Sequence, residues 1–442
     1  MLNGSIGDKI LLFSIPIALT QILEQLFNAA DIAVIGRFVG KGAMAAVGAN
    51  SPVVGLIVTF FAGISIGCNV IIARRIGQGD KERERRAAAT TVQTALIAGV
   101  VVMIIGEIMA RWLLRRMSVP AEVMDDAVLY LRIFLAGVPA VLLYNFESAI
   151  FRAKGNTRTP LYCLVIAGCV NVALNLFFVL AIGMTVNGVA LATVISNVIS
   201  SGLMFVSLAR DEDLQLLARL KEGLDRESVR SIISLGLPAG LQGTVFSLSN
   251  IIVQSAVNSL GTDIIAASSA AFNIEIMAYF IINSFGQACT TFTGQNYGAG
   301  NRKRCRRVMR ICVLQDEIGT VAIDILFIVM GHQLLSLFNT DPAVVSNGYT
   351  RLLFILVPGV VNVLIELFSG ALRGYGHSLM PALISLFGVC GVRIGWVTFF
   401  FPKYHTFKAL LVAYPASWVV TAAALAVAYF LFIRSESRKA KE

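Results

Sequence analysis

The sequence predicts an all-α integral membrane protein with twelve transmembrane helices in two pseudo-symmetric six-helix lobes. Three observations carry that prediction. The 442 residues are 57% hydrophobic and 14% charged, with a mean hydropathy of +0.77, whereas soluble domains carry about 25% charged residues. The apolar residues fall into runs long enough to cross a bilayer, which takes roughly 20 residues per helix. There are twelve: 10–35, 43–72, 87–111, 122–150, 160–182, 187–209, 229–259, 266–293, 305–331, 344–372, 379–401 and 407–433. Finally, the second half repeats the first. Pro16 answers Pro238, and GQGDKERERRA from Gly77 answers GAGNRKRCRRV from Gly298. Arg132 and Pro139 answer Arg351 and Pro358, and FRAKGNTRTP (151–160) answers LRGYGHSLMP (372–381). Runs that are long and apolar all round call for helices, not barrel strands. Six spans per repeat is an even number, so the halves share one topology.

The repeat divides the chain into an N-terminal lobe (1–209), a linker (210–231) and a C-terminal lobe with its tail (232–442). Basic residues set the orientation. Six Lys/Arg lie in 74–86, six in 302–310 and five in 210–230, against three in 111–116. The positive-inside rule then puts the linker, the tail and both termini in the cytoplasm. The same clusters are expected to touch anionic membrane lipid; nucleic acid is not an expected partner. Within the linker, Leu214, Leu217, Leu220 and Leu224 recur at helical spacing, which predicts a short interfacial helix. The first apolar run is too long for a signal-peptide core and lacks a small-residue cleavage site, so no cleaved leader is expected. Pro16, Pro52, Pro139, Pro238, Pro358 and Pro415 fall inside spans and are expected to bend them. The seven cysteines show no metal-ligand spacing and read as packing residues.

The first span carries the most informative pattern. Gln21, Glu24, Asn28 and Asp31 are spaced to share one helix face. A polar stripe with two carboxylates at membrane depth needs a partner, a cation or a proton. Asp31 is the candidate coupling carboxylate. Its alternative is a hydrated position near the span end, or a pair with Arg37. Asn171 and Asn175, four residues apart on the fifth span, and Thr193 on the sixth offer neutral oxygens to the same site, although mid-span Asn also serves as interhelical glue. Other acids sit in spans. Glu24 with Gln21, Glu147, Glu275, and Glu366 with Asn362 are candidates to line a cavity for a cationic substrate. The alternative for each acid is a structural pair with Arg132, Arg351 or Arg393. Phe27, Tyr144, Phe272, Tyr279 and Phe280 are candidate stacking surfaces for flat cations. Asp316 and Glu317, well inside the ninth span, fit none of these roles. An enzyme is not expected: the three His (332, 377, 405) lie outside span centres, and neither HExxH nor GxSxG occurs.

Several stretches together resemble one family. They are NAADIAVIG in the first span, the Gly-Gln-Gly loop after the second, FRAKGNTRTP, VNVALN in the fifth span, GQNYGAGNRKR, and ALRGYGHSLMP. Across the whole chain this set is similar to the multidrug and toxic compound extrusion (MATE) family. The resemblance implies efflux of small organic cations and drugs in exchange for Na⁺ or H⁺. A multi-pass place in the bacterial cytoplasmic membrane and no cofactor besides the coupling ion are expected, and nothing in the sequence demands more than a monomer. The chain looks closer to the DinF-like branch, whose helix 1 Asp matches Asp31 and whose companions match Asn171, Asn175 and Thr193. Those four positions are where a Na⁺ ion would sit. Two departures stand out. The DinF-like pattern usually has a second acid where this chain has Asn175. The NorM-like branch uses a Glu in helix 7 and an Asp in helix 10, whereas here helix 7 reads LPAGLQGTVFSLSN and the helix 10 position matches Asn362. The alternative function is a flippase of lipids or lipid-linked precursors from the same broad superfamily. That reading asks for a cation-rich cavity, and intramembrane Arg is limited to Arg132, Arg351 and Arg393.

Overall fold

A computed structural model describes residues 1–439; residues 440–442 of the tail lie outside the described residues. The chain is helical throughout, with no strand among the described residues. The first half contains α1 (Ile6–Val34), α2 (Lys41–Gln78), α3 (Lys81–Arg116), α4 (Ala121–Lys154), α5 (Arg158–Leu176), α6 (Val186–Ala209) and the short α7 (Leu216–Leu220). The second half begins with α8 (Arg226–Asn258), α9 (Thr262–Gly298), α10 (Arg302–Val329) and the short α11 (Gly331–Ser336). Then come α12 (Pro342–Leu356) and α13 (Gly359–Gly374), and a segment of α14 (Leu379–Ser385), α15 (Val392–Gly395) and α16 (Phe401–Tyr404) joined by π-helical turns. Finally, α17 (Phe407–Leu411) leads into α18 (Ala413–Lys439).

Ten of these helices are long and apolar enough to cross a membrane, and α12 with α13 makes an eleventh, bent by 43°. The bend falls at Pro358, which has no N–H to continue the ladder. The twelfth span is α10. Its 28 residues reach about 42 Å, against a hydrocarbon core of about 30 Å. Six Lys/Arg in its first turns and acids on its buried side lower its mean hydropathy. Its outward side is nevertheless apolar, with Leu314, Ile318 and Ile325 exposed.

The sequence repeat reappears as a repeat of local geometry. Gly79 and Gly300 both take a left-handed φ, +72° and +73°, and close the helix before them. The next residue caps the helix that follows: Asp80 Oδ1 accepts from Arg83 N at 3.0 Å, and Asn301 Oδ1 accepts from Arg304 N at 3.1 Å. One turn is thus built twice, from a glycine in the left-handed region that it adopts without strain and a short polar side chain beside it.

The molecule divides into two compact units. One comprises Leu19–Gly240; the other comprises Met1–Ala18 with the residues from Leu241 onward. The first turns of α1 therefore belong to the C-terminal unit, where Ile6, Ile10, Phe13 and Ile17 pack among Phe285, Phe292 and Leu425. The first turns of α8 belong to the N-terminal unit, where Ile232 joins the core of α2, α3 and α4. There α2 crosses α8 backbone to backbone: a Cβ on Gly63 would stand 2.5 Å from Gly240 Cα, and one on Gly236 2.5 Å from Ile64 O. Small residues at a helix crossing allow this approach.

The linker is less helical than the leucine spacing predicts. Only α7 forms, flanked by turns, with Leu214 and Leu216 buried and Leu217 and Leu224 exposed. Its charges are used in ion pairs. Arg219 pairs with Glu82 at 2.7 Å, Asp213 with Lys81 at 2.7 Å, and Asp211 with Lys154. The linker thus meets the 74–86 loop through one acid and one base and the end of α4 through another acid, an arrangement the leucine pattern alone does not reveal.

Candidate functional site

The site is assembled inside the N-terminal unit by three helices. Asp31, near the end of α1, is 9% exposed. Asn171 and Asn175 lie one turn apart on α5, at 4% and 0%. Thr193 of α6 is half-buried beside them. What holds α1 against α5 is a ring on a glycine. A Cβ on Gly168 would stand 1.9 Å from Phe27 Cε2, so any larger residue there would push Phe27 and α1 away. Just beyond the site both helices pass into π-helical turns, Ile35–Val39 after Asp31 and Phe177–Ala181 after Asn175; such turns recur at functional positions.

The polar groups meet at short range. Asn175 Nδ2 donates to Asp31 Oδ1 at 2.6 Å and to Asn171 Oδ1 at 3.1 Å. Thr193 Oγ1 lies 3.2 Å from Asp31 Oδ2 and 3.0 Å from Val189 O. A hydroxyl has one hydrogen, so it serves only one of these acceptors at a time. When it turns to the Val189 carbonyl, two oxygens face each other across 3.2 Å. That arrangement calls for a proton on the carboxyl or a cation nearby. Asn175 Oδ1 is buried without a partner. Rotation of this amide would turn that oxygen toward Asp31. Carboxylate, amide and hydroxyl oxygens suit a hard cation, so the residues present fit either Na⁺ or H⁺. Among the described residues no Lys, Arg or His pairs with Asp31, and Arg37 instead lies over the Phe38 ring at 5.9 Å. Sequence reading missed the Phe27–Gly168 contact, because a phenylalanine and a glycine in apolar spans carry no distinguishing signal.

The other sequence candidates are distributed differently. Asn28 is exposed and does not join Asp31, so the stripe splits across two sides of α1. Gln21 and Glu24 are half-buried, and Glu24 interacts electrostatically with Arg152 and Tyr144. Glu147 is fully buried with both carboxylate oxygens unpartnered, while Arg132 pairs with Glu107 at 3.6 Å. In the C-terminal unit Glu275 is bound by Arg351 in a buried ion pair, the structural alternative drawn from the sequence. Asn362 is half-buried, and Glu366 Oε1 accepts from the Tyr279 hydroxyl at 3.2 Å. No group of three or more His, Cys, Asp or Glu among the described residues is placed to hold a metal ion.

Comparison with known proteins agrees with this architecture. The MatE family model matches twice, at residues 16–177 and 238–397, so each match begins at one of the paired prolines, Pro16 and Pro238. The chain is 30% identical over 441 residues to the probable multidrug resistance protein YoeA of Bacillus subtilis, covering 97% of this chain and 94% of that one. It is 25% identical to the probable multidrug resistance protein NorM of Thermotoga maritima, covering 90% and 86%. Among solved structures, a crystal structure of MATE in the bent conformation superposes with a TM-score of 0.92 at 24% identity, covering 100% and 98%. With both halves matched and nearly the whole length aligned, the chain belongs to the MATE family of membrane transporters.

Proposed function

We propose that this chain exports small organic cations and drugs from the cell in exchange for Na⁺ or H⁺ by alternating access. It works in the cytoplasmic membrane with both termini in the cytoplasm, as the basic loops favour. The observation that carries the reading is the buried cluster of Asp31, Asn175, Asn171 and Thr193, in which a carboxylate without a basic partner meets neutral oxygens. Relatives named as multidrug resistance proteins supply the substrate class. The acid on α1, and the absence of an acid along 237–250, favour the DinF-like branch.

Coupling requires that cation and drug favour different states. A cation at Asp31 neutralises the carboxylate and releases Asn175 Nδ2 and the Thr193 hydroxyl from it. Because α1, α5 and α6 meet at these three side chains, loading alters how the helices are bonded to one another. Asn175 in place of a second acid leaves one negative charge, which one monovalent cation balances.

The flippase reading draws on one observation. Arg373 and Arg393 are buried and bonded to neutral groups, Gln242 for the first, Asn250 and Ser417 for the second, and no ion pair to either is found among the described residues. That leaves positive charge for an anionic headgroup. One experiment separates the two readings. Purified protein in proteoliposomes is loaded with a fluorescent organic cation and given an imposed Na⁺ or pH gradient, with Asp31→Asn in parallel. Gradient-driven efflux that disappears in the folded variant supports antiport through Asp31. Wild-type protein that moves no cation under either gradient but scrambles a labelled anionic lipid supports the flippase.

A further inference from the structure

The two basic turns of the sequence repeat are neutralised differently. In the first, at the start of α3, the cations after Asp80 all have partners. Lys81 pairs with Asp213 at 2.7 Å, Arg83 with Asp80 at 3.5 Å and Arg86 with Glu82 at 3.0 Å, while Arg85 Nε donates to Asp213 O at 2.7 Å. The second turn, at the start of α10, lacks those acids. In register with GDKERERR, GNRKRCRR has Asn301 for Asp80, Lys303 for Glu82 and Cys305 for Glu84. Two of its cations hold other parts of the same unit. Arg302 pairs with Glu436 at 3.1 Å, and Arg304 Nη2 donates to Met1 O and Gly4 O at 3.2 and 2.9 Å. The remaining four, Lys303, Arg306, Arg307 and Arg310, are exposed and make no ion pair or hydrogen bond among the described residues.

These four recur at helical spacing and share one face of α10. The same face continues into Leu314, Ile318 and Ile325, which are 57–62% exposed. The one acid of α10 outside its buried side is Glu317, half-buried two turns beyond Arg310. At 1.5 Å per residue the basic stretch rises about 10 Å, and the apolar stretch from Leu314 to Ile325 about 16 Å. A headgroup layer is about 5–8 Å deep and one leaflet of the hydrocarbon core about 15 Å. Charge above and apolar surface below thus match the two ends of a phospholipid. Arginine forks suit phosphate oxygens.

We propose that this face of α10 binds an anionic phospholipid, with its phosphate among Lys303, Arg306, Arg307 and Arg310 and an acyl chain along Leu314, Ile318 and Ile325. The matching turn of α3 does not, because its cations are already engaged. The expectation that both basic clusters meet anionic lipid therefore holds for one of them. The site does not depend on what the protein transports.

The test uses purified full-length protein in phosphatidylcholine nanodiscs containing increasing fractions of phosphatidylglycerol with a photoreactive acyl chain. Labelled peptides are mapped by mass spectrometry, with photoreactive phosphatidylcholine as the comparison. Wild-type α10 is expected to be labelled saturably by phosphatidylglycerol and without saturation by phosphatidylcholine. Each basic residue near an anionic headgroup is worth about fivefold. Arg306→Gln with Arg307→Gln should therefore raise the half-saturating fraction roughly 25-fold or abolish saturation. Arg85→Gln with Arg86→Gln removes the same charge from the first turn and should leave α10 labelling within about twofold. Lys303→Glu carries the test if the Arg306/Arg307 variant inserts poorly, since acids weigh little in topology. It introduces the acid that the first turn has at Glu82, places it four residues before Arg307, and should weaken labelling in the same way. Inorganic phosphate at 10-fold excess over lipid should not displace the probe. The proposal is overturned if wild-type α10 takes up both lipids alike, or if the two double-arginine variants shift its labelling equally. It is also overturned if Lys303→Glu binds as wild type does, or if free phosphate displaces the lipid.

Discussion

Replacing Glu275 with Gln should destabilise the protein without touching transport chemistry. The Glu275 and Arg351 side chains are 9% and 5% exposed. The guanidinium engages both carboxylate oxygens, with Nε donating to Oε2 at 3.3 Å and Nη2 to Oε1. Arginine cannot shed its charge, so Glu275→Gln leaves a buried cation facing one amide oxygen. Breaking one side of a buried pair costs about 3–5 kcal/mol. The Tyr414 ring, 5.6 Å from the Arg351 guanidinium, is retained, and a desolvated cation–π contact is worth about 2 kcal/mol. The expected loss therefore lies near the lower figure. Arg351→Met combined with Glu275→Leu should recover most of it, because replacing both partners with apolar groups is close to neutral. Thermal unfolding in detergent, read by a thiol-reactive dye on the buried cysteines, compares Glu275→Gln, Glu275→Leu, Arg351→Met and the Glu275→Leu/Arg351→Met double variant. Efflux is measured well below the unfolding range. If the single losses simply add in the double variant, the pair is not coupled. If Glu275→Gln keeps its unfolding temperature and loses efflux, Glu275 is a substrate carboxylate and the structural assignment fails.

Two further outcomes follow from particular contacts. Gly168→Ala should displace Phe27, whose ring would meet the new Cβ at 1.9 Å, and lower gradient-driven efflux; a second change, Phe27→Leu, should restore part of it, and no rescue would argue that Phe27 does not position α1. Asp80→Ala and Asn301→Ala should each cost about 1 kcal/mol, seen as similar drops in unfolding temperature, since both side chains cap their helices through one bond of nearly equal length; a loss at only one position would mean that the two turns are not equivalent.

The spans and the repeat were legible because they rest on composition and on turn chemistry. Twenty apolar residues have few other uses, and a glycine followed by Asp or Asn before a basic run specifies the same turn at Gly79 and Gly300. The acid of the site was legible because Asp31 interrupts an apolar run, and Asn171 and Asn175 because they are one helical turn apart. Which side of α1 faces inward was not. Helical spacing fixes the angle between Asn28 and Asp31 but not where α5 and α6 pack, and the structure buries one and exposes the other. Contacts that depend on shape were equally silent. Phe27 on Gly168 and Gly63 on Gly240 leave no mark in sequence beyond a phenylalanine and some glycines among many. Long-range ion pairs such as Arg351–Glu275 and Arg219–Glu82 join segments whose pairing depends on how the helices are arranged. The sequence offered Arg351 as a partner for several acids, and only packing selected Glu275.

The most direct test of the account is the affinity of purified protein for a fluorescent organic cation, titrated against Na⁺ and pH, in wild type and Asp31→Asn. Linkage requires that the cation weaken drug binding by the same factor as drug weakens cation binding. The account predicts that wild-type affinity falls as the coupling cation rises, and that Asp31→Asn binds drug with an affinity that no longer follows that cation. Wild-type affinity that ignores both cations, or an Asp31→Asn protein that keeps the full dependence, would contradict the assignment of Asp31 as the coupling carboxylate.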